Sequence, residues 1–417
     1  MTLKRNKLNS LKILKKCRIC NSVNFKVFLK LTDTPLEDQF LYNQVKQPSY
    51  PLEVAMCKNC FYVFLPHVIS PEISYDEYIY ESAVTIGLEK HYETYAQEIV
   101  KKFKITSNSL AIDIGSNDGS MLRAFQKEHM KILGVEPAKQ IANFANQKKL
   151  NTINSFFSLE LANKIVLKEG KASIITANYM FANIDDLEDF ILGVKVLLDD
   201  DGIFIIQTGY HPVQFSKNLF DYIYHEHFSY FTIHSLTTLF KKFNLEIVDA
   251  KIINPKGGSI RIAINKIKNN NNKSFALKKI ILDEEKHNYN SSYILTLLNK
   301  NINKEKDKLI TQLKIFKEKN IKIAGIGASH STTTLIYHFE LQNYIEFLVD
   351  DNIKKHNTYS PGLHIKVFDS SYLKESNIQC LLILGWQHQE IIIKKFKPFL
   401  QDNRFFIVPL PQFRIVK

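Results

Sequence analysis

The sequence predicts an α/β protein that consists of a small N-terminal metal-binding module and two larger units built around parallel sheets. Two pairs of closely spaced cysteines indicate the module, Cys17-Arg-Ile-Cys20 and Cys57-Lys-Asn-Cys60. A glycine turn at residues 113–119 follows an apolar run and opens an alternation of predicted strands and helices. A second glycine turn, at residues 325–329, opens a shorter alternation of the same kind. Strands that alternate with helices form parallel, doubly wound sheets.

Length and charge limit the class of protein. A chain of 417 residues exceeds what one hydrophobic core supports, so two or three domains are expected, and 45% of the residues are hydrophobic. The net charge of +13 is compatible with a nucleic-acid partner. However, the lysines are spread along predicted helices, which favours a solvated basic surface with some attraction for anionic small substrates. No apolar stretch approaches a membrane span, so we predict a cytoplasmic protein with neither a membrane nor a nucleic-acid partner.

Residues 1–78 are predicted to form the metal-binding module, a small β-rich zinc domain. Its two cysteine pairs offer four soft thiolates to one tetrahedral ion. Because all four ligands are cysteines, no position is left for water, and the Zn²⁺ is predicted to be structural. The alternative is four unrelated thiols. The fifth cysteine, Cys380, lies in an apolar run, a pattern that suits a reducing cytoplasm better than a disulfide framework.

The central unit, residues 79–268, is predicted to be a Rossmann-like domain with a parallel sheet. It is expected to begin with a bridging helix near residues 85–102. The predicted elements then alternate regularly: strand 110–114, helix 121–127, strand 131–135, helix 138–146, strand 172–176, helix 187–198 and strand 202–207.

The turn after the first of these strands is a candidate nucleotide site. It begins at Asp113 and contains Gly115 and Gly119, which let the backbone approach a ligand closely. The next strand ends at Glu136, where an acid can accept both ribose hydroxyls of an adenosine. The glycine spacing differs from that of dinucleotide turns, so it favours S-adenosylmethionine over NAD. The alternative is a purely structural turn between a strand and a helix.

The segment 220–231 carries the most reactive cluster of side chains in the sequence. It contains Tyr224, His225, Glu226 and His227 within a strongly aromatic run. Histidine exchanges protons near neutral pH, a neighbouring carboxylate can orient it, and aromatic rings can bind the face of a sugar. Two alternatives are a buried helix start with satisfied polar groups and a metal site formed by His225 and His227.

Residues 269–417 are predicted to form a smaller, C-terminal Rossmann-like domain. A long charged helical region at 275–320 precedes the second glycine turn, Gly325-Ile-Gly-Ala-Ser329. This turn could hold phosphates, but the sequence beside it supplies neither a P-loop lysine nor a convincing acid for a ribose. A structural role for the turn is therefore as well supported as a ligand-binding role.

Taken in order, these segments resemble the S-adenosylmethionine-dependent sugar C-methyltransferases of deoxysugar pathways. The resemblance covers nearly the whole chain. Its most specific elements are the Tyr-x-Glu-His run and the Gly-Gly-Ser-x-Arg run. The matching motifs are the two cysteine pairs, Asp113-Ile-Gly-Ser-Asn-Asp-Gly119, Gly134-Val-Glu-Pro137, Ile223-Tyr-His-Glu-His-Phe-Ser-Tyr-Phe231, Gly257-Gly-Ser-Ile-Arg261 and Gly325-Ile-Gly-Ala328.

The resemblance implies a zinc domain, a class I methyltransferase domain and a C-terminal domain that completes the substrate cleft. It also implies methylation of the carbon next to a ketone in a nucleotide-linked sugar. His227 would be the base, Tyr224 and Glu226 would bind or polarise sugar oxygens, and Tyr80 would close the pocket. The cofactor residues would be Asp113, Gly115, Ser116, Asn117, Glu136 and Asn178. We expect a monomer or a weak homodimer.

Three positions depart from the family pattern. Asn183 stands where the family often has a histidine near the reacting sugar, and an amide cannot serve as a base. Lys256 and Ser331 replace a histidine and a basic residue. These changes predict a more hydroxylated nucleotide sugar than the usual dideoxy keto substrate.

Two other functions compete with sugar C-methylation. An O-methyltransferase could use the same base and cofactor to activate a sugar hydroxyl. A zinc-containing nucleic-acid binder or RNA methyltransferase is suggested by the charge and the cysteine pairs. Against the latter, the basic residues are not concentrated in the zinc module and do not alternate with aromatic residues.

Overall fold

A computed structural model describes residues 11–70, 73, 87–268, 273–401 and 403–417. In this part of the chain, the N-terminal module is built from short antiparallel strands. Its strand β3, which lies between β2 and β4, is buried on both faces. β1 pairs with β5. The strands are β1 (Leu11–Ile13), β2 (Phe25–Lys30), β3 (Glu53–Cys57), β4 (Val63–Phe64) and β5 (His67–Ile69).

The central domain has helices on both faces of a mixed sheet. Its helices are α1 (Leu88–Phe103), α2 (Ser120–Lys127), α3 (Lys139–Gln147), α4 (Leu159–Glu169), α5 (Leu187–Leu197), α6 (His211–Ser216) and α7 (Ile233–Lys241). Its strands are β6 (Leu110–Ile114), β7 (Lys131–Val135), β8 (Thr152–Ile153), β9 (Ala172–Asn178), β10 (Leu198–Gly209), β11 (Ser229–Tyr230), β12 (Leu245–Ile253) and β13 (Ser259–Lys266).

Within the described part of the chain, the central sheet has seven strands in the order β12-β13-β10-β9-β6-β7-β8. The strands from β8 to β10 are parallel, but β13 is antiparallel to both of its neighbours. The predicted strands β6, β7, β9 and β10 do pair in parallel, and the two strands that the sequence analysis did not include, β12 and β13, make the sheet mixed at this edge. Residues 254–258 alone join β12 to β13, and a parallel connection needs a much longer crossover.

The C-terminal domain is a second, smaller α/β unit. Helix α8 (Phe275–Lys286) precedes this unit in the chain and packs against α7 and β12 of the central domain. The helices of the unit itself are α9 (Tyr293–Glu318), α10 (His330–Phe339) and α11 (Gln389–Lys395). Its strands are β14 (Ile323–Ile326), β15 (Ile345–Val349), β16 (Val367–Phe368), β17 (Cys380–Ile383), β18 (Phe405–Val408) and β19 (Arg414–Val416). The described strands have the order β16-β15-β14-β17-β18-β19, and β19 is antiparallel.

An acid does lie beside the second glycine turn, contrary to the sequence-based expectation. Asp350 follows β15 directly, and one of its oxygens accepts the N–H of Ala328 at 2.7 Å. The other oxygen accepts the N–H of Asn352 at 2.8 Å. The sequence contained this acid, but only the parallel pairing of β14 with β15 brings it to the turn.

The N-terminal module contacts both larger domains. β11 of the central domain extends the sheet of the module through its pairing with β4. The segment after β2 reaches the C-terminal domain, where Leu41 forms an isolated β-bridge with Tyr359 and the Thr333 hydroxyl donates to the Glu37 carbonyl. The three domains therefore meet around the segment 220–231. In the described residues, no helix is long and apolar enough to span a bilayer.

Candidate active site

A cavity of about 360 Å³ opens at the carboxyl ends of β6, β7 and β9. Ligand sites of open α/β sheets lie at this edge, because successive turns converge there. All of the predicted cofactor residues line the cavity, and Asn183 lies in the same wall. Those residues are Asp113, Gly115, Ser116, Asn117, Glu136 and Asn178.

Glu136 fixes the first glycine turn from the end of β7. Its two carboxylate oxygens accept the N–H of Asn117 at 2.9 Å and the N–H of Ala138 at 2.8 Å. Burial raises the pKa of Glu136, and these two hydrogen bonds oppose the shift. Each oxygen keeps a second lone pair, so the carboxylate can still accept the hydroxyls of a ribose.

Asp113 is held from β9, on the other side of β6. Its Oδ1 accepts the hydroxyl of Thr176 at 2.6 Å and the amide of Asn178 at 3.1 Å. Burial raises the pKa of Asp113 to about 7. The carboxyl group is therefore oriented by its neighbours before any ligand binds.

A glycine is required at position 115, where the turn lies against the residues that follow β9. Its φ is +70°, and an added Cβ would lie 2.7 Å from Cγ of Met180. Any side chain here would be strained and would collide with the cavity wall. The glycine therefore allows the backbone to close against the cavity.

The cavity wall contains unpaired polar atoms that could bind the polar groups of an adenosine-type cofactor. Among the described residues, Ser116 Oγ and Asn178 Oδ1 are buried without a hydrogen-bond partner. Buried polar atoms are normally paired, so these two indicate a polar ligand. Together with the Glu136 carboxylate, they provide acceptors and a hydroxyl at the cavity wall.

The four paired cysteines form one cluster. Their sulfur atoms all lie within 4.8 Å of one another, and the Cys17–Cys60 and Cys20–Cys57 sulfurs are 3.6 and 3.5 Å apart. A tetrahedral zinc site with Zn–S bonds of about 2.3 Å places its sulfurs roughly 3.8 Å apart. The geometry therefore fits a four-sulfur Zn²⁺ site with no open position.

The segment that carries the predicted catalytic residues is anchored at both ends. At its start, the buried Asp221 accepts hydrogen bonds from Trp386 Nε1 at 2.9 Å and Gln387 Nε2 at 2.8 Å. At its end, Thr232 caps α7, and Glu284 accepts the N–H groups of the first turn. Residues 222–231 therefore follow a fixed path between the domains.

His227 has a defined tautomer and a neutral ring. Its Nδ1 lies 3.0 Å from the Tyr222 carbonyl, so Nδ1 carries the proton and Nε2 keeps a lone pair. Burial lowers the pKa of His227 to about 3, and the charge of Lys256 contributes to this shift. The Tyr224 ring packs on the imidazole with a centroid distance of 4.0 Å.

His225 points away from this group into the interface with the N-terminal module. Its Nδ1 lies 2.7 Å from Glu37 Oε1, and both side chains are almost completely buried. Burial would lower the pKa of His225, but the facing Glu37 carboxylate raises it. In the described residues, the cysteines form the one group of three or more possible ligands, so the structure gives no support to a metal site at His225 and His227.

His330, which was not among the residues predicted from the sequence, lies beside Tyr224 and Glu226. Its Nε2 lies 3.1 Å from Glu226 Oε1, and its ring lies 4.9 Å from that of Tyr224. On the other side, Nδ1 lies 3.6 Å from Asp38 Oδ1. The available signal was its position directly after the second glycine turn, at the start of α10.

Lys256 connects the cofactor cavity with the histidine group. It lines the cavity, and its ammonium lies 4.8 Å from the ring centre of Tyr179, which lines the same cavity. Its charge also acts on His227. Tyr80, the remaining predicted site residue, lies outside the described residues.

Three family models match successive parts of the chain. They are described as "Putative zinc binding domain" for residues 17–75, "Methyltransferase domain" for residues 88–250 and "C-methyltransferase C-terminal domain" for residues 254–411. A curated relative, the C-methyltransferase NovU of Streptomyces niveus, is 26% identical over 404 residues, which are 96% of each chain.

Solved structures match less than half of the chain, at low similarity. The magnesium protoporphyrin IX methyltransferase of Synechocystis PCC 6803 is 12% identical, over 44% of this chain and 84% of its own, with a TM-score of 0.35. The CcbJ methyltransferase of Streptomyces caelestis is 12% identical, over 47% of this chain and 96% of its own, with a TM-score of 0.34.

Proposed function

Since the chain belongs to the S-adenosylmethionine-dependent C-methyltransferases, we propose that it methylates the carbon next to a ketone in a nucleotide-linked sugar. The family membership confirms the predicted enzyme class, the cofactor and the structural zinc. The proposal concerns the substrate and the residues that act on it.

The observation that carries the proposal is the link through Lys256, which lines the cofactor cavity and whose charge acts on His227. His227 Nε2 is the unprotonated nitrogen, and Lys256 contributes both to the cavity wall and to the electrostatic field at this ring. A substrate carbon between the two groups would have a base on one side and the methyl donor on the other. That arrangement is the one that proton removal followed by methyl transfer requires.

The cofactor supplies a methyl group activated by a sulfonium. Asp113, Glu136 and Asn178 would bind and orient it at the edge of the sheet. His227 Nε2 would take the proton from the carbon next to the ketone, and the electron pair of that C–H bond would form the enolate. The carbon would then bond to the methyl group as its bond to sulfur breaks, and the ketone would be restored.

The side chains around His227 suit a sugar. Tyr224 presents a ring and a hydroxyl, and Glu226 presents a carboxylate held by His330. Aromatic faces pack against the apolar face of a sugar ring, while carboxylates accept its hydroxyls. Asn183 lies at the cavity wall, where its amide can both donate to and accept from a hydroxyl. The net charge of +13 favours association with an anionic nucleotide sugar.

Isotope exchange separates this proposal from O-methylation. The protein would be incubated in D₂O with a panel of nucleotide-linked 4-keto sugars, with and without S-adenosylmethionine. We expect deuterium at the carbon next to the ketone and, with the methyl donor, a new carbon–carbon bond at that atom. Methyl transfer to a hydroxyl without exchange would contradict the proposal.

The second experiment tests the expected substrate preference. A thymidine-linked 2,6-dideoxy-4-keto hexose would compete with more hydroxylated keto sugars on other nucleotides. We expect faster methylation of a more hydroxylated sugar, because Asn183 replaces a proton-transfer group with a hydrogen-bonding one. A clear preference for the dideoxy sugar would show that the departures at Asn183, Lys256 and Ser331 carry no information about specificity.

A further inference from the structure

His330 joins two acids that come from different domains. Its Nε2 lies 3.1 Å from Glu226 Oε1 in the central domain, and its Nδ1 lies 3.6 Å from Asp38 Oδ1 in the N-terminal module. Lys355 of the C-terminal domain donates to the same Asp38 oxygen at 2.6 Å. The side chain of His330 is only 18% exposed, so the group is largely shielded from water.

We propose that His330 is a positioning residue that, as an imidazolium, holds the Glu226 carboxylate in place to accept a hydroxyl of the sugar. The inference rests on the proposed function, because it concerns how the same site binds its substrate. Nε2 has a hydrogen-bond acceptor in Glu226, and Nδ1 faces the Asp38 carboxylate at 3.6 Å, an ion-pair distance, so an imidazolium presents an N–H to each acid. A neutral imidazole could satisfy only one of them as a donor.

The geometry leaves one Glu226 oxygen for the substrate. Among the described residues, His330 engages Oε1, and Oε2 has no protein hydrogen bond. An ion pair that fixes one oxygen also fixes the plane of the carboxylate, so Oε2 is held in one direction. Hydrogen bonds to a charged group are stronger than those between neutral groups, and fixing the acceptor lowers the entropy lost when the sugar binds.

His330 also packs in series with the proposed base. Its ring lies 4.9 Å from the ring of Tyr224, which in turn lies 4.0 Å from the ring of His227. The three rings tilt by similar angles, 32° at each step. Loss of the His330 ring would therefore remove a packing partner from one face of Tyr224 and a hydrogen-bond donor from Glu226.

The charges around His330 support the protonated form. The facing groups are Glu226, Asp38, the Tyr224 ring and, beyond Asp38, Lys355. Burial would lower the pKa of His330, but the two carboxylates raise it to about 9, and Lys355 opposes them. The cation is therefore complete below the ordinary value of 6.5 and is lost as the pH rises through about 9.

The first test measures the ion pair without any substrate. Imidazole ¹⁵N and ¹³C shifts of His330, assigned by comparison with the His330→Gln protein, would be followed from pH 6 to pH 10. We expect a midpoint near 9 that falls in Glu226→Gln and in Asp38→Asn. A midpoint at or below 6.5 in the unmodified protein would overturn the inference.

The second test measures the role of His330 in the reaction. We expect His330→Ala to reduce kcat/KM for the ketosugar by about ten- to a hundredfold and to leave the Kd for S-adenosylmethionine unchanged. The double variant with His330→Ala and Glu226→Gln should have a kcat/KM only slightly below that of the less active single variant, because the two side chains act as one unit. In the unmodified protein, kcat/KM for the ketosugar should fall as the pH rises through about 9. His330→Gln should retain part of the activity and lack this fall.

His338→Gln is the matched control, because His338 lies on the same helix and contacts the N-terminal module through the backbone N–H of Thr32 at 3.3 Å. Equal effects of His330→Ala and His338→Gln on kcat/KM and on the pH profile would show a merely structural role. If the unmodified protein acts on no ketosugar, the proposed function fails, and the NMR titration still decides whether His330 holds Glu226.

Discussion

Two histidines in one short run have opposite surroundings, and we expect them to have different roles. His225 faces Glu37 within the domain interface, whereas the partly buried His227 has its Nδ1 bound to a backbone carbonyl. A buried His–Glu pair stabilises an interface, since removal of either partner leaves a buried charge unpaired. A neutral imidazole with a fixed tautomer can accept a proton at Nε2.

We therefore expect different consequences when each histidine is replaced. His227→Asn should lower kcat by on the order of 10²- to 10⁴-fold, abolish solvent exchange at the carbon next to the ketone, and leave cofactor affinity and Tm unchanged. His225→Asn should lower Tm. Calorimetry, thermal unfolding and NMR exchange measure these quantities. If His225→Asn removed exchange at unchanged Tm, the assignment of the base would be wrong.

The low pKa of His227 also determines how kcat/KM should depend on pH below neutrality. Since burial lowers that pKa to about 3, the ring stays unprotonated throughout the neutral and mildly acidic range. At saturating S-adenosylmethionine, kcat/KM for the ketosugar should show no loss with a midpoint near 6.5, the ordinary value for histidine. Such a loss, if it persisted in His330→Gln and in His225→Asn, would indicate an ordinary pKa for the base and would contradict this expectation.

Among the secondary-structure elements, the two glycine turns are fixed by the same arrangement of hydrogen bonds. In each, an acid that follows the second parallel strand accepts one N–H from the turn and one N–H from the residue two positions after the acid itself. Glu136 accepts from Asn117 and Ala138. Asp350 accepts from Ala328 and Asn352. The carboxylate thus closes the turn as well as offering acceptors to a ligand.

Replacement of Glu136 separates these two effects. We expect Glu136→Ala to weaken S-adenosylmethionine binding by about ten- to a hundredfold, because it loses charge-assisted hydrogen bonds and the support of the turn. Glu136→Gln, which keeps an acceptor oxygen, should weaken binding less. Titration calorimetry measures both, with Asp350→Gln as the control at the other turn. Unchanged affinity in Glu136→Ala would place the ribose elsewhere.

Many of these elements could be predicted from the sequence, and the exceptions have physical causes. Short apolar runs between turn residues identified β6, β7, β9 and part of β10, because buried parallel strands have this pattern. Helix α4 has Leu167 on its exposed side, which blurs its periodicity. The direction of β13 depends on the short link before it and not on its own residues. Paired side chains such as His330 and Asp38 come from distant parts of the chain, so no local pattern reveals them.

At the scale of the whole molecule, the zinc module supports the catalytic segment directly. Arg18, between two of the zinc ligands, donates to the carbonyl of Phe228 at 3.4 Å and to Asp185 at 3.0 Å, beside the cofactor cavity. Leu65 donates its N–H to the same Phe228 carbonyl at 3.0 Å. The metal cluster thus holds the residue that follows His227.

We therefore expect the loss of zinc to act through the fold. Cys57→Ser or removal of the metal by a strong chelator should lower Tm by on the order of 10 °C and reduce activity in proportion to the folded fraction. Elemental analysis should give one zinc per chain. Cys380→Ala, which removes a thiol outside the cluster, should keep the metal. Full folding of the metal-free protein would contradict a structural role.

Transfer of the methyl group to carbon can be tested by analysis of the product. The protein would be given S-adenosylmethionine with a ¹³C-labelled methyl group and a nucleotide-linked 4-keto sugar, and the product would be examined by carbon–proton correlation NMR. We expect an aliphatic methyl signal coupled to the carbon next to the ketone. A labelled methoxy signal on the sugar would contradict it.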